Sequence, residues 1–157
     1  MASQLPPFQV LVDEHRRALY RFLVASVGPD EAADCFQETV LAALRAYPRL
    51  SNARNLRGWL FTIAHRKTLD AHRARKRRPL PVAEVPDGTS PDGDGTGIDD
   101  DVWEAVRRLP PKQRSAVIHR FVGGLSYAEI APIVDCSEGA ARQNVSEALR
   151  RLREELG

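Results

Sequence analysis

Residues 125–150, with the sequence LSYAEIAPIVDCSEGAARQNVSEALR, predict two helices joined by a tight turn. Ser126 and Glu129 have the spacing of a capping box, so the first helix should begin at Ser126. The run 135–137 is typical of a turn, and its final serine can cap a longer helix. A short helix, a turn of roughly three to four residues and a longer helix are typical of a helix-turn-helix.

The second helix of this pair should have one buried face and one free face. Small and branched apolar residues can fix the crossing of the two helices: Ala128, Ile130, Ala131, Ile133, Ala140, Val145 and Leu149. The opposite face carries polar residues that can contact base edges or phosphates in the major groove: Glu138, Arg142, Gln143, Ser146 and Arg150. The pattern therefore favours binding to duplex DNA. The alternative is an ordinary helical hairpin with a solvated charged face.

Helical periodicity also dominates the rest of the chain, and strand signals are weak. We expect helices from about Phe8 to Val27, from a cap at Asp30 to about Ala46, and from about Leu56 into a basic run that ends at Arg78. The predicted buried stripe of the second of these helices is Ala33, Phe36, Val40, Leu44 and Tyr47. Further helices are expected over residues 102–109 and 111–122. The predicted fold is therefore all-α.

Charge and composition divide the chain into two small helical domains. The formal net charge is +2, but residues 66–78 hold seven bases and one acid, whereas residues 79–101 hold seven acids and no base. Residues 79–99 are also rich in Pro and Gly, which is typical of a flexible linker without a core of its own. We therefore place the first domain at residues 1–78, the acidic linker at 79–99 and the second domain at 100–157.

The cysteine, histidine and apolar patterns argue against a metal site and against a membrane protein. Cys35 and Cys136 form neither a disulfide framework nor a zinc motif, which favours a reduced, cytoplasmic setting. His65 and His72 are seven residues apart, too far for one metal site on a helix, so we expect surface or phosphate-facing positions for both. There is no signal peptide and no apolar run of ~20 residues, so no membrane insertion is expected. We predict no cofactor and no metal site.

An acidic cluster on the second predicted helix is the first of two candidate sites in the first domain. Asp34, Gln37 and Glu38 share one helix face, which is either simply solvated or a binding surface. Paired carboxylates can serve acid–base catalysis, but no constellation of His, Ser or Cys accompanies them. We therefore expect no catalytic residue and no enzyme.

The second candidate site is aromatic and basic. Trp59 and Phe61 precede the basic run, and bases that leave a duplex stack on aromatic rings while phosphates pair with Lys and Arg. The preceding loop contains Ser51, Asn52 and Asn55, which can hydrogen-bond to an exposed base edge. The alternative for Trp59 is a place in the hydrophobic core.

Four segments in this order resemble the extracytoplasmic-function (ECF) sigma factors, which belong to the sigma-70 family of RNA polymerase. Residues 34–38 resemble the D-x-x-Q-E motif of region 2, and residues 57–64 (RGWLFTIA) resemble its R-x-W-L-[FY]-x-I-A segment. Residues 109–114 (LPPKQR) resemble the start of region 4, and residues 125–131 (LSYAEIA) resemble its helix-turn-helix entry. The resemblance covers nearly the whole chain.

The resemblance implies a non-catalytic factor that carries promoter specificity to the core polymerase. The first domain would dock on the clamp helices of the largest subunit through Asp34, Gln37, Glu38, Leu41 and Arg45. It would hold the melted −10 element through Asn52, Asn55, Trp59, Arg66, Lys67 and Arg73. The second domain would bind the flap and read the −35 duplex through Arg142, Gln143, Ser146 and Arg150. An anti-sigma factor is the expected regulator.

The chain departs from the family pattern in two segments, and in the recognition helix Gln143 and Asn144 replace Ser and Arg. Glu147 stands where a phosphate-binding base is common, and His65-Arg66 stands where Arg-Asn is usual. Both departures lie in segments that the resemblance assigns to promoter DNA, so the promoter sequence that is read should differ accordingly.

Two other functions are compatible with the motifs. A stand-alone helix-turn-helix regulator would dimerise to read two half-sites and would not bind the core polymerase. The other is an interaction module that kept the fold but lost promoter activity, and the intact basic and D-x-x-Q-E segments argue against it.

Overall fold

A computed structural model of the chain describes residues 5–51, 54–77 and 100–157. These residues form helices and turns, with no strand among them, so the predicted all-α fold is confirmed. They divide into two compact units, one within residues 1–91 and one within 92–157. The predicted linker at 79–99 lies outside the described residues, and the domain limits at 78 and 100 stay predictions.

Three helices build the first unit: α1 (Phe8–Val27), α2 (Pro29–Ala46) and α3 (Leu56–Arg77). A short 3-10 turn, Tyr47–Arg49, follows α2. Gly28 joins α1 to α2 with a φ of 89°, a left-handed backbone that glycine adopts without strain. Pro29 is the first residue of α2, where its missing N–H costs nothing. The predicted cap at Asp30 is therefore wrong, because Gly28 occupies the cap position and Asp30 lies inside the first turn.

The core of the first unit lies where the three helices meet. Its largest buried side chains come from α1 and α3: Leu11, Leu19, Phe22, Leu23, Leu60 and Phe61. The rings of Phe22 and Phe61 meet edge to face, with centroids 5.4 Å apart. Helix α2 contributes smaller residues, among them Ala32 and Ala43 with no exposed surface. Helix α2 can therefore pack closely against both of its neighbours.

The buried face of α2 differs from the predicted one. The buried residues are Ala32, Cys35, Thr39 and Ala43, and none of the predicted stripe, Ala33, Phe36, Val40, Leu44 and Tyr47, is buried. Thr39 is tolerated in the core because its hydroxyl donates to the Cys35 carbonyl at 2.7 Å. Phe36 is half-buried against α1, with the Tyr20 ring 5.8 Å away. Small side chains therefore form the contact of α2 with its neighbouring helices, and the large apolar side chains lie on either side of it.

The second unit is built around its last helix. Its elements are α4 (Asp100–Arg108), α5 (Pro111–Val117), a π-helical turn (Ile118–Val122), α6 (Tyr127–Ile133) and α7 (Glu138–Leu156). Helix α7 packs against α4, α5 and α6. The buried residues of α7 are Ala141, Val145 and Ala148, and the sequence pattern placed Val145 on the packing face. The predicted all-helical second domain is thereby confirmed.

Local hydrogen bonds fix the helix-turn-helix as the sequence predicted. The Ser126 hydroxyl accepts from the Glu129 N–H at 3.2 Å, and the Glu129 carboxylate accepts from the Ser126 N–H at 2.8 Å. This reciprocal pair is the capping box at the start of α6. The Ser137 hydroxyl accepts from the Ala140 N–H at 3.0 Å and caps α7. In the turn between them, Asp135 has a φ of 56°, a conformation that Asp tolerates.

Two substitutions on α2 test which of its faces is buried. Ala43→Leu should lower the free energy of unfolding of the first unit by ~1–3 kcal/mol, because the extra side chain overfills a closed contact. Leu44→Ala, one residue further on, should change it by less than about 0.5 kcal/mol, because Leu44 is half exposed. Urea titration followed by Trp59 fluorescence, in a Trp103→Phe background, measures both. A larger loss of unfolding free energy in Leu44→Ala than in Ala43→Leu would indicate that Leu44, and not Ala43, faces the core.

Candidate nucleic-acid and partner interfaces

Helix α2 exposes the whole set of residues that the sequence assigned to a docking surface. The exposed residues are Asp34, Gln37, Glu38, Leu41 and Arg45. Leu44, which the sequence assigned to the core, lies among them, and Leu41 and Leu44 are 48% and 49% exposed. The face opposite the core thus combines two large apolar side chains with carboxylates, an amide and a guanidinium. Adjacent exposed leucines with a polar rim are typical of a protein-binding surface.

The thiol of Cys35 lies beneath this face and is unreactive at neutral pH. Burial is the largest cause that raises the pKa of Cys35 to about 11, and the carboxylates of Glu38, Glu31 and Asp34 act in the same direction. The ammonium of Lys67 acts in the opposite direction. Lys67, on α3, is therefore close enough to α2 to influence a residue of its buried face.

One exposed face of α3 carries an aromatic residue and two arginines. Trp59, Arg66 and Arg73 recur at seven-residue intervals, which places them on one helix face. The arginines are exposed and Trp59 is half-buried. The Arg73 guanidinium lies 3.7 Å from the Asp70 carboxylate. Lys67, which the sequence grouped with these residues, is displaced towards α2 and is half-buried.

Trp59 belongs to a row of three aromatic rings at one end of the first unit. Its ring centroid lies 6.0 Å from that of Tyr47, which lies 5.2 Å from that of Phe8. The Tyr47 hydroxyl donates to the Pro6 carbonyl. Trp59 is therefore partly packed on Tyr47 and keeps some exposed surface, and its contact with an unpaired base stays a prediction.

Asn55 has a structural task as the cap of α3. Its φ is 52°, and its side-chain oxygen accepts from the Gly58 N–H at 3.0 Å. A Cβ atom on Gly58 would overlap the Asn55 amide, so glycine at 58 makes the cap possible. The amide oxygen of Asn55 therefore already accepts one hydrogen bond, and its NH2 group is a donor that it can offer to a ligand. Asn52, assigned with it, lies outside the described residues.

His65 is buried, so its predicted surface position is wrong. It is 9% exposed and lies on the inner side of α3. Burial is the main cause that lowers the pKa of His65 from 6.5 to about 4, with smaller contributions from the charges of Arg66 and His72. The imidazole is therefore neutral at physiological pH. The seven-residue spacing to His72 argues only against a shared metal site, whereas packing of the inner face of α3 determines that His65 is buried.

The free face of α7 exposes all four predicted DNA-contact residues, and neighbouring side chains hold the first of them in place. Arg142, Gln143, Ser146 and Arg150 are exposed. The Arg142 guanidinium lies 4.9 Å above the Tyr127 ring and 3.5 Å from the Glu138 carboxylate. Such cation–π contact restricts an arginine without neutralising its charge. The sequence pattern did not identify Tyr127, because the contact joins α6 to α7.

Two further groups frame this face. Arg120 lies 4.7 Å over the same Tyr127 ring and donates to the Leu125 carbonyl at 3.0 Å. The Arg150 guanidinium lies 3.3 Å from the Glu154 carboxylate. The exposed side of α7 is thus basic, and two of its arginines, Arg142 and Arg150, are paired with acids of the same helix.

The two units match known sequence families. Residues 11–78 match the family "Sigma-70 region 2" and residues 99–152 match "Sigma-70, region 4". The ECF RNA polymerase sigma factor SigD of Mycobacterium tuberculosis is 36% identical over 154 residues, which cover 90% of this chain and 73% of SigD. The ECF sigma factor SigL of that organism is 29% identical, with 99% of this chain and 94% of SigL covered.

The chain belongs to the ECF RNA polymerase sigma factors. Among solved structures, it is similar to the sigma factor RpoE of Bartonella quintana, which was crystallised with the anti-sigma factor NepR. The TM-score is 0.77, the identity is 25%, and 97% of this chain and 98% of that chain are covered. The predicted family, fold and function are thereby confirmed.

As an ECF sigma factor, the protein binds core RNA polymerase and promoter DNA and directs promoter-specific initiation. Its region 2 contains α1 to α3, and its region 4 contains α4 to α7. None of the helices in the described ranges is both long and apolar enough to cross a membrane.

Region 4 of this sigma factor also carries an apolar groove away from the free face of α7. It is lined by Val102, Trp103, Val106, Val117, Ile118, Phe121, Val122, Leu149 and Leu152. Phe121, in the π-helical turn, is 61% exposed, the most of any large apolar residue in the described ranges. Leu149, which the sequence placed on the packing face of α7, and Leu152 are half-buried at this groove.

The buried His65 makes the stability of region 2 depend on pH. Its pKa in the folded state is below the value of 6.5 expected for the unfolded chain, so the unfolded state binds more protons between these values. The free energy of unfolding of region 2 should therefore have its full contribution from neutral His65 above pH ~6.5. It should fall by on the order of 3 kcal/mol as the pH falls to about 4. His65→Leu should remove this part of the slope, and His72→Gln should keep it. Urea titrations from pH ~7.5 to ~4 measure both, and equal slopes in His65→Leu and the parent would contradict the assignment.

Proposed function

We propose that this sigma factor docks on the core polymerase through the exposed face of α2 and contacts promoter DNA through the exposed faces of α3 and α7. It acts as a binding factor in the cytoplasm and catalyses no reaction itself. The observation that carries the proposal is that each face is exposed opposite a closely packed core and has the chemistry of its partner. The free thiols of Cys35 and Cys136 support the cytoplasmic location.

The docking surface consists of Asp34, Gln37, Glu38, Leu41 and Arg45, with Leu44 beside them. Within the described part of the chain, neither Asp34 nor Glu38 is in an ion pair or a hydrogen bond, so both carboxylates are available to a basic partner. Burial of the two half-exposed leucines supplies free energy that does not depend on salt. The clamp helices of the largest polymerase subunit are the proposed partner of this face.

The α3 face is the proposed contact for the −10 element after its strands separate. Arg66 and Arg73 are exposed to phosphates, and the free side of Trp59 can stack against an unpaired base. Capture of an extruded base offsets an unstacking cost of a few kcal/mol, so a factor without ATP can shift the equilibrium towards melted DNA. Asn52, the NH2 group of Asn55 and Lys67 complete the proposed contact.

The α7 face is the proposed contact for the −35 duplex. Its first turns present Arg142, Gln143 and Ser146, and Arg150 follows one turn later, which suits a helix that enters the major groove with its N-terminal half. The apolar groove around Phe121 is the proposed site for the polymerase flap. By analogy with the complex of RpoE with NepR, an anti-sigma factor is the proposed regulator.

Leu41→Glu tests the docking surface. The variant should reduce association with purified core by about tenfold or more, because it places an unpaired charge in a contact that excludes water. Leu41 is 48% exposed, so region 2 should keep its thermal stability. Val10→Glu is the matched control, because Val10 is 51% exposed on α1 and should leave association unchanged. Core binding by Leu41→Glu equal to that of the control would reject the α2 face.

Arg142 tests base reading on α7. Arg142→Ala should weaken binding to a −35 duplex by ~1–3 kcal/mol and relax selectivity at one position. Arg142→Lys keeps the charge but loses the planar fork that stacks on Tyr127, so it should retain more affinity than selectivity. Binding of both variants to a randomised duplex, selected in the presence of core, gives the two quantities. An unaltered position preference in Arg142→Ala would refute the role.

One experiment separates a sigma factor from a stand-alone regulator. In-vitro transcription with purified core and a promoter library should yield specific start sites only when this protein is added. A regulator would bind duplex DNA as a dimer without core and would not redirect initiation. Binding without new start sites would therefore favour the regulator.

A further inference from the structure

Glu147 joins the buried interior of region 4 to the DNA-facing side of α7. It is half-buried, and two glutamine side chains use its two carboxylate oxygens. Gln113, on α5, donates to Oε2 at 3.1 Å, and Gln143, four residues earlier on α7, donates to Oε1 at 3.2 Å. The residue at the position where a phosphate-binding base is common in the family is therefore engaged inside the protein.

The chemistry of a carboxylate fixes the orientation of both amides. An ionised carboxylate only accepts hydrogen bonds, so each glutamine must turn its NH2 group, and not its oxygen, towards Glu147. Gln113 is only 7% exposed, and its amide oxygen has no partner among the described residues. That buried amide holds the carboxylate in place, and the carboxylate in turn orients the exposed Gln143.

An oriented Gln143 presents a defined pattern to a base edge. One N–H is directed to Glu147, so the amide offers its carbonyl oxygen and its second N–H to the major groove. An acceptor beside a donor matches adenine, which has the N6 donor and the N7 acceptor. Guanine presents two acceptors, O6 and N7, which would face the amide oxygen and the nearby negative charge of Glu147.

We infer that Glu147 is a positioning residue for specificity: through Gln143 it makes adenine the preferred base at one position of the −35 duplex. This inference rests on the proposed role of α7. Without Glu147 the amide of Gln143 can rotate and present two donors, which guanine accepts equally well. The negative charge of Glu147 also repels the DNA phosphates and lowers the affinity for every duplex. Glu147 therefore increases selectivity and decreases non-specific affinity.

Selection from a randomised −35 duplex, with full-length protein bound to core, tests the inference. The parent should prefer adenine over guanine on the order of tenfold at one position. That position is identified as the one where Gln143→Ala abolishes the preference. Glu147→Gln has nearly the same shape and removes the charge that fixes the amide. It should lose the adenine preference at that same position and keep the others.

Two further variants make the result specific. The double variant Gln143→Ala, Glu147→Gln should match Gln143→Ala, because Glu147 acts through Gln143. Glu147→Lys should bind all duplexes more tightly, with a salt dependence steeper by about one counterion, and without the adenine preference. Circular dichroism and thermal melting establish that each variant keeps its helices.

The outcomes are distinct. An adenine preference that survives in Glu147→Gln while Gln143→Ala loses it would overturn the role of Glu147. The absence of any Gln143-dependent adenine preference in the parent would overturn the base assignment. If the parent initiates specifically with core in both cases, the proposed function stands and only this inference fails. A parent that neither binds core nor selects a duplex would overturn the proposed function and the inference together.

Discussion

Close packing of alanine-lined helix faces is the constraint from which the rest of each region follows. Ala32 and Ala43 on α2, and Ala141 and Ala148 on α7, have no exposed surface. Alanine allows neighbouring helices to approach closely, and a larger side chain would force them apart at a cost of ~1–3 kcal/mol. Because these faces must point inwards, the opposite faces of α2 and α7 must point outwards. The polar and basic groups proposed to bind partners are therefore exposed by the requirements of packing.

Preorganisation is the second feature that the exposed faces share. Arg142 rests on Tyr127, Gln143 is held by Glu147, and Asn55 is fixed as the cap of α3. Ordering a long side chain on binding costs about 0.5–1.5 kcal/mol, and contacts made before DNA arrives reduce this cost. The intramolecular partners also influence what each group can offer: Arg142 keeps its charge on Tyr127, whereas the oxygen of Asn55 already accepts one hydrogen bond. Side chains held in place in this way fit one ligand better and can bind fewer different ligands.

The sequence predicted the helices well where local chemistry sets their ends. Helix α1 begins and ends as expected, and Ser126 and Ser137 cap the helix-turn-helix as their spacing indicated. The predicted buried face of α2 was wrong because the prediction ranked residues by hydrophobicity, which favours Phe36 and Leu44 as core residues. Close contact between the helices instead requires small residues such as alanine. Where a helix begins and ends depends on local sequence. Which side of it is buried depends on the neighbouring helices when apolar residues lie on more than one side.

The same distinction explains what was missed at the candidate sites. Arg142 and Gln143 could be assigned from the sequence, since they lie on the free face of a recognisable helix. Tyr127 and Glu147 could not, because their roles depend on contacts between α6 and α7 and between α5 and α7. His65 was misplaced for a related reason, since a basic run can be exposed on one side of α3 while its other side is buried. The spacing of apolar and polar residues within one helix carries no information about these contacts between helices.

The exposed leucines of α2 and the charges around them have different roles in binding. Each half-exposed leucine can contribute roughly 1 kcal/mol when a partner covers it, and this contribution persists at high salt. The surrounding charges contribute little net free energy once they are desolvated, but they fix orientation and suppress incorrect partners. A surface with only leucines would associate indiscriminately, and one with only charges would be weakened by cellular ionic strength. The combination on α2 therefore suits a factor that must bind the core polymerase selectively and be released again.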